Sequence, residues 1–210
     1  MALKWFVIGR PGSGKTTSAR YIIQLAKNKG LSAIHMNDYE ILKQMFRDDI
    51  EQKKFRPTEH EGFDVLDFSV MQTALQELER SVESYISSMD LITIEFARDD
   101  YDAALKQFHP DFLRKDACFL YLDADIEICL QRIHERITCC SSVDDHPSLS
   151  DNSFRSHYQK DNRSYITSNL KNDYAIDEQR IMVIDNIGSY VELINKLNQF
   201  VETIPLPTLI

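Results

Sequence analysis

The residues whose types and spacing could do chemistry are concentrated near the start of the chain. Gly9-Arg10-Pro11-Gly12-Ser13-Gly14-Lys15-Thr16 fits the spacing G-x-x-x-x-G-K-T. In this pattern the glycines let the backbone turn its N–H groups onto phosphate oxygens, and the helix that follows adds its positive N-terminal end. The lysine then bridges the β- and γ-phosphates, and the hydroxyl of Thr16 ligates magnesium. The residues expected to contact a nucleoside triphosphate, ATP with Mg2+, are therefore Gly12, Ser13, Gly14, Lys15, Thr16 and Thr17. Read as structure alone, the stretch would be a glycine-rich turn with a chance Lys-Thr.

The elements around the loop have to hold it between a strand and a helix. Leu3 to Ile8 is an apolar run broken only by Lys4 and reads as a buried strand. Thr17 to Lys29 carries Ala19, Ile22, Ile23 and Ala26 at helical spacing, with Gly30 as a stop. Further strands are predicted over 32–36, 91–96, 118–122 and 181–184, and helices over 39–49, 71–86, 100–109, 126–137, much of 153–171, and 190–201. Residues 50 to 67 read as irregular, with Pro57 and Gly62 as breakers. Strands alternating with helices imply right-handed crossovers and a parallel sheet covered on both faces. Ligands collect at the carboxyl ends of such strands, where Gly9, Asp38, Glu95 and Asp185 are all expected.

The bulk numbers set limits on function. A length of 210 residues suits one compact α/β domain, and 43% hydrophobic with 27% charged residues is an ordinary globular composition. No apolar stretch is long enough to span a membrane. The N-terminus lacks the features of a cleaved signal peptide, which points to the cytoplasm and to reduced thiols at Cys118, Cys129, Cys139 and Cys140. A formal net charge of −9 argues against a broad surface for duplex nucleic acid.

The loop, the order of strands and helices, and several strand ends resemble the small P-loop kinases. This group holds adenylate kinase, shikimate and gluconate kinases, polynucleotide kinases and zeta-toxin-like proteins. The resemblance implies a P-loop NTPase fold, a three-layer α/β/α sandwich on a mainly parallel five-stranded sheet. It further implies a single domain over 1–210, with an acceptor-binding insertion within 39–88 and a lid within 138–165.

It also suggests roles for particular residues. Asp38, after the second strand, corresponds to the carboxylate that contacts the acceptor hydroxyl as base or orienter; the other reading is a helix N-cap. Glu95 would hold magnesium or orient the attacking group. Arg98 is similar to the arginine that holds an acceptor phosphate, although here the acid–arginine spacing is one residue shorter than in adenylate kinase. A surface ion pair with Asp99 or Asp102 is the other reading of Arg98. Arg132 and Arg136 share one helix face and resemble the arginines that stabilise the transferring phosphoryl group; Arg155 and Arg163 are further lid candidates. Arg47 and Arg56 would bind an acceptor phosphate, and Phe55 and Phe63 would either stack on an acceptor ring or enter the core. Asn186 is a base-side contact by analogy. His134, Cys139, Cys140 and His146 cluster in the lid, where some adenylate kinases hold zinc, but without the paired Cys-x-x-Cys spacing.

These readings converge on an ATP-dependent phosphotransferase acting on a small-molecule or nucleotide acceptor. The alternatives are a nucleotide switch or slow NTPase working through a protein partner, and a nucleic-acid end kinase. The guanine-specifying Asn-Lys-x-Asp pattern does not occur, which leans toward adenine.

Overall fold

Alternation of side chains along the first strand determines how the layers assemble. In the computed structural model, which describes residues 2–59, 62–114, 116–138 and 150–204, strand β1 spans Leu3–Gly9 and is buried throughout. Leu3, Trp5 and Val7 point into one apolar layer, and Phe6 and Ile8 into the opposite one. A strand buried on both faces must lie centrally.

The chain proceeds through α1 (Lys15–Asn28), β2 (Ala33–Asn37), α2 (Asp38–Asp48), β3 (Phe55–Pro57), β4 (Phe63–Val65), α3 (Ser69–Tyr85) and β5 (Leu91–Phe96). It continues with α4 (Tyr101–Leu105), α5 (Pro110–Arg114), β6 (Ala117–Asp123), α6 (Ile126–Thr138), α7 (Asp151–His157), α8 (Arg163–Ser168) and α9 (Leu170–Tyr174). A 3-10 turn, β7 (Ile181–Asp185) and α10 (Tyr190–Thr203) complete it. The main sheet has five strands in the order β2-β5-β1-β6-β7, and every pairing is parallel. It is the expected α/β sandwich.

One face packs against α1 and α10 through Ile22, Leu197 and Phe200, with Trp5 edge-on to Phe200. The other packs against α3, α4, α5, α8 and α9. At its centre Phe6 and Phe119, paired in register, stack with centroids 4.7 Å apart. Phe108 and Phe112 meet Phe6 edge-on.

Three segments differ from the expected elements. Residues 50–67 contain the antiparallel pair β3–β4. The turn that leads into β3 is ordered by the Asp49 carboxylate, which accepts from the N–H groups of Lys53, Lys54 and Phe55. Pro110–Arg114 forms an additional short helix. The expected helix over 153–171 is divided into α7, α8 and α9, and the break between α7 and α8 lies where the carbonyls of Tyr158 and Lys160 accept from the Arg10 guanidinium. Cys118 and Cys129 are buried free thiols, and burial pushes the Cys129 thiol up to about 11. Cys139, Cys140 and His146 lie outside the described residues. Among the described residues, no helix is long and apolar enough to cross a membrane.

Phe6 packs against three aromatic rings and is fully buried. Phe6→Ala is expected to destabilise the fold by about 3–5 kcal/mol, measured by chemical denaturation; a loss under about 1 kcal/mol would show that this aromatic layer can collapse around the cavity.

Candidate active site

The loop from Gly9 to Thr16 leaves β1 and enters α1 at Gly14, which serves as N-cap without a side-chain bond. The first-turn N–H groups are thus not claimed by a capping side chain, the arrangement that suits an anion. Gly12 and Gly14 have positive φ angles of 80° and 98°. A Cβ on Gly12 would lie 2.5 Å from the Cys129 carbonyl oxygen, and one on Gly14 would lie 2.5 Å from Asn186 Nδ2. Both glycines are therefore required by space as well as by dihedral angle.

Several side chains brace the loop from outside. Arg10 donates to the carbonyls of Ala124, Tyr158 and Lys160 and lies 3.5 Å from Asp123. Tyr101 is buried with its hydroxyl between strand ends: it accepts from the Gly9 N–H at 2.7 Å and lies within donating distance of the carbonyls of Gly9 and Phe96. The Tyr101 N–H in turn donates to Asn162 Oδ1. Asn186 donates its amide to the Ser13 carbonyl at 2.8 Å, so the geometry makes it a brace of the loop rather than a free base-side donor. The bonds to the loop itself could not be read from sequence spacing, since Tyr101 lies 92 positions from Gly9 and Asn186 lies 173 from Ser13.

At the carboxyl ends of the strands, four buried charges alternate. Lys15 Nζ donates to the Arg10 carbonyl at 2.9 Å and lies 4.0 Å from Glu95 Oε1. Burial lowers the Lys15 ammonium from its ordinary value, an effect that Glu95 opposes only in part. The Thr16 hydroxyl donates to Glu95 Oε1 at 2.9 Å. Burial would raise the Glu95 carboxyl, but His35, Lys15 and Thr16 outweigh it and hold the group below its ordinary value. His35 Nε2 is 3.3 Å from Glu95 Oε2. That contact is not aligned as a hydrogen bond, and Glu95 Oε2 is a buried acceptor without a hydrogen-bond partner.

Asp38 and Arg98 form the second pair, with Arg98 Nη1 donating to Asp38 Oδ2 at 2.5 Å. Arg98 also donates to the carbonyls of Ala97 and Met71. Burial raises the Asp38 carboxyl despite the neighbouring guanidinium. The N-cap of α2 is Asn37, whose side chain accepts from the Glu40 N–H, so Asp38 is not the cap. Nor is Arg98 paired with Asp99 or Asp102; its partner is Asp38, 60 positions away.

Clefts open on both sides of the loop. One, with a cavity of about 190 Å³, is bordered by Lys15, Thr16, Asp38, Glu95 and Arg98 and walled by Tyr39 and Phe63 on one side and Phe154 and Tyr158 on the other. The other, of about 400 Å³, lies between α6 and the segment that follows β7, and is lined by Thr17, Arg132, Glu135, Asn186 and Tyr190. Gly12 and Arg136 border both. Arg132 Nη1 is buried and lacks a hydrogen-bond partner, a donor left for an anion.

Other candidates are elsewhere. Arg47 is exposed in the last turn of α2, Arg56 pairs with Asp64, and Arg155 pairs with Glu127; none borders either cleft. Arg163 binds Asp123 and Asp185 and joins the ends of β6 and β7. Asp185 therefore does not reach the crevice. Phe55 is fully buried with Phe46 and Phe63, whereas Phe63 is both core and cleft wall. His134 pairs with Asp151. Among the described residues no group of three His, Cys, Asp or Glu side chains gathers around a point.

No family model matches this chain, and neither does any sequence among the curated proteins. Solved structures do. An APS kinase from Mycobacterium tuberculosis, in complex with AMPPNP and APS, superposes with a TM-score of 0.58 at 15% identity, covering 96% of this chain and 97% of that one. Kti12 from Chaetomium thermophilum, with ADP-AlF3, gives 0.56 at 11% identity over 96% and 99%. A shikimate kinase from Acinetobacter baumannii, with shikimate, gives 0.53 at 16% identity over 99% and 97%. The chain has the fold of the small P-loop kinases.

Tyr101→Phe removes the hydroxyl that receives the Gly9 N–H. A loss of about 1–3 kcal/mol in stability by chemical denaturation is expected from the stranded amide. Wild-type stability would show that the loop does not depend on this brace.

Proposed function

We propose that this protein is an ATP-dependent phosphotransferase that moves the γ-phosphoryl group of ATP to a hydroxyl on a small acceptor. The observation that carries this reading is the buried Asp38, set beside a phosphate loop in a cleft separate from the one that would take the nucleotide. A nucleotide switch has no use for a carboxylate buried at 5% exposure in a second cavity.

ATP would lie with its phosphates on the loop amides and Lys15, and its base in the cleft between Arg132 and Asn186. The residues fit magnesium: the Thr16 hydroxyl and Glu95 Oε1 are oxygens 2.9 Å apart, and Glu95 Oε2 is a further buried oxygen without a hydrogen-bond partner. The metal would neutralise charge on the β- and γ-oxygens. Asp38 receives the proton of the acceptor hydroxyl as the new O–P bond forms and the bond to ADP breaks. Arg98 holds that carboxylate in place, and Lys15, Arg132 and Arg136 stabilise charge on the transferring group. Residues 39–88 would form the acceptor arm. Residues 138–165 would form the lid, of which 139–149 lie outside the described residues. Closure would keep the γ-phosphate from water.

The test is ADP release and product formation with ATP, magnesium and a pooled set of hydroxyl acceptors. Lys15→Ala should lower turnover by about 10²-fold or more with the fold retained by circular dichroism; unchanged turnover would remove the loop from the chemistry. Asp38→Asn should lower transfer to a hydroxyl by about 10²–10⁴-fold, and equal rates would exclude Asp38 as base. The pH profile follows from the free-enzyme groups. Activity requires Asp38 ionised and its pKa is raised, so kcat/KM should begin to fall on acidification above the ordinary carboxyl range. Lys15 must stay charged and its pKa is lowered, so the alkaline limb should come below the ordinary lysine value.

A further inference from the structure

Two polar atoms on the floor of the site have no role in the chemistry above. His35 Nε2 and Glu95 Oε2 are both buried, neither has a hydrogen-bond partner, and they face each other at 3.3 Å. Buried polar atoms left open in this way are costly in a finished core. In an active site, by contrast, such a contact can be poorly aligned in the free protein and tighten in the complex.

The sheet is what brings the two together. β2 and β5 run parallel, with His35 paired to Thr93 and Asn37 to Glu95. Alternation puts His35, Thr93 and Glu95 on the same face as Ala33 and Leu91, which pack in the layer of α1. Asn37, directly beside Glu95, is engaged elsewhere: its side chain caps α2 by accepting from the Glu40 N–H. His35, two residues earlier on β2, reaches the carboxylate instead.

The other ring nitrogen determines what His35 presents. His35 Nδ1 lies 2.9 Å from the hydroxyl of Thr93, a residue with no exposure to water. A threonine hydroxyl can donate or accept, so it serves either tautomer of the ring. The carboxylate decides between them. A lone pair on Nε2 would be repelled by Glu95 Oε2, whereas an Nε2–H would be attracted. Thr93 therefore donates to Nδ1, and the ring hydrogen sits on Nε2.

The second oxygen of the same carboxylate points at the loop. Glu95 Oε1 accepts from the Thr16 hydroxyl at 2.9 Å and lies 4.0 Å from Lys15 Nζ. Without a contact at Oε2, the carboxylate would be hydrogen-bonded at one oxygen only and free to pivot about that bond toward Lys15.

We infer that His35 is a positioning residue: its Nε2–H, with the ring fixed by Thr93, holds Glu95 Oε2 and so keeps Oε1 beside the Thr16 hydroxyl, the oxygen pair that would hold magnesium. This rests on the phosphotransferase reading above and deepens it. His35 acts through Glu95 and touches neither the nucleotide nor the acceptor in this role.

The experiment compares His35→Gln, whose amide nitrogen falls near the place of Nε2, with His35→Asn, whose amide falls near that of Nδ1. The affinity of each full-length protein for AMPPNP is measured by calorimetry with magnesium and with EDTA, and stability by chemical denaturation. His35→Asn is expected to lose about 10–100-fold of the gain in affinity that magnesium brings, with affinity in EDTA unchanged, and His35→Gln to keep most of that gain. Wild-type magnesium dependence in His35→Asn, or equal losses in the two variants, would assign His35 to packing; either would overturn the inference and leave the phosphotransferase reading intact. Nitrogen-15 NMR of the free wild-type protein needs no variant to fold: a hydrogen on His35 Nε2 is expected, and a hydrogen on Nδ1 alone would overturn the inference. Nucleotide binding by the wild type that is indifferent to magnesium would overturn both readings.

Discussion

The backbone of the phosphate loop has no spare volume. A Cβ at Gly9 would lie 2.4 Å from the Leu122 carbonyl oxygen, at Gly12 2.5 Å from that of Cys129, and at Gly14 2.5 Å from the Asn186 amide. These contacts reach β6, α6 and the segment after β7, which are otherwise distant in sequence. Because packed interiors transmit displacement, the position of the loop fixes the separation of the three elements, and with it both clefts. Arg10 and Tyr101 complete the constraint by tying the loop to residues 158–160 and to the end of β5. The break between α7 and α8 is a consequence of the same anchoring.

Within that frame the floor carries Lys15, Glu95, Asp38 and Arg98, all nearly or wholly withdrawn from water. Buried pairs of this kind seldom add stability over apolar residues, because desolvation offsets most of the attraction. Their value lies in preorganisation: each charge is held where a reacting group would need it, without solvent reorganisation at that moment. The directions of the shifts agree with this division. Glu95 is kept ionised by its neighbours, whereas Asp38 is raised by burial toward the range where a carboxylate accepts a proton more readily.

Much of the fold was legible in the sequence because hydrophobic period and glycine spacing are local signals. The five parallel strands, the loop and α6 follow from runs and stripes within a dozen residues. The site was legible only where a motif carried it, at Lys15 and Thr16, or where a charge closed a strand, at Asp38 and Glu95. Pairing across the sheet has no local signal. Arg98 has acidic neighbours at 99 and 102 but bonds Asp38, because β2 and β5 lie side by side and bring their carboxyl ends together. The hairpin at 55–65 was hidden by strands of three residues each, too short for an alternating pattern. Arg47, Arg56 and Arg155 were arginines of the right type in the right segments, but side-chain direction took them to solvent or to nearby acids. Tyr101 and His35 carried no signal beyond their burial.

The central claim is that the loop separates a nucleotide cleft from an acceptor cleft. Photolabelling with 8-azido-ATP and magnesium, followed by peptide mass spectrometry, tests it directly. Label confined to the peptides around Arg132–Arg136 and Asn186–Leu193 is the expected result, with Tyr39, Phe63 and Tyr158 unmodified. Label on those aromatic residues would put the base in the Asp38 cleft, leave no room for a second substrate, and contradict the account.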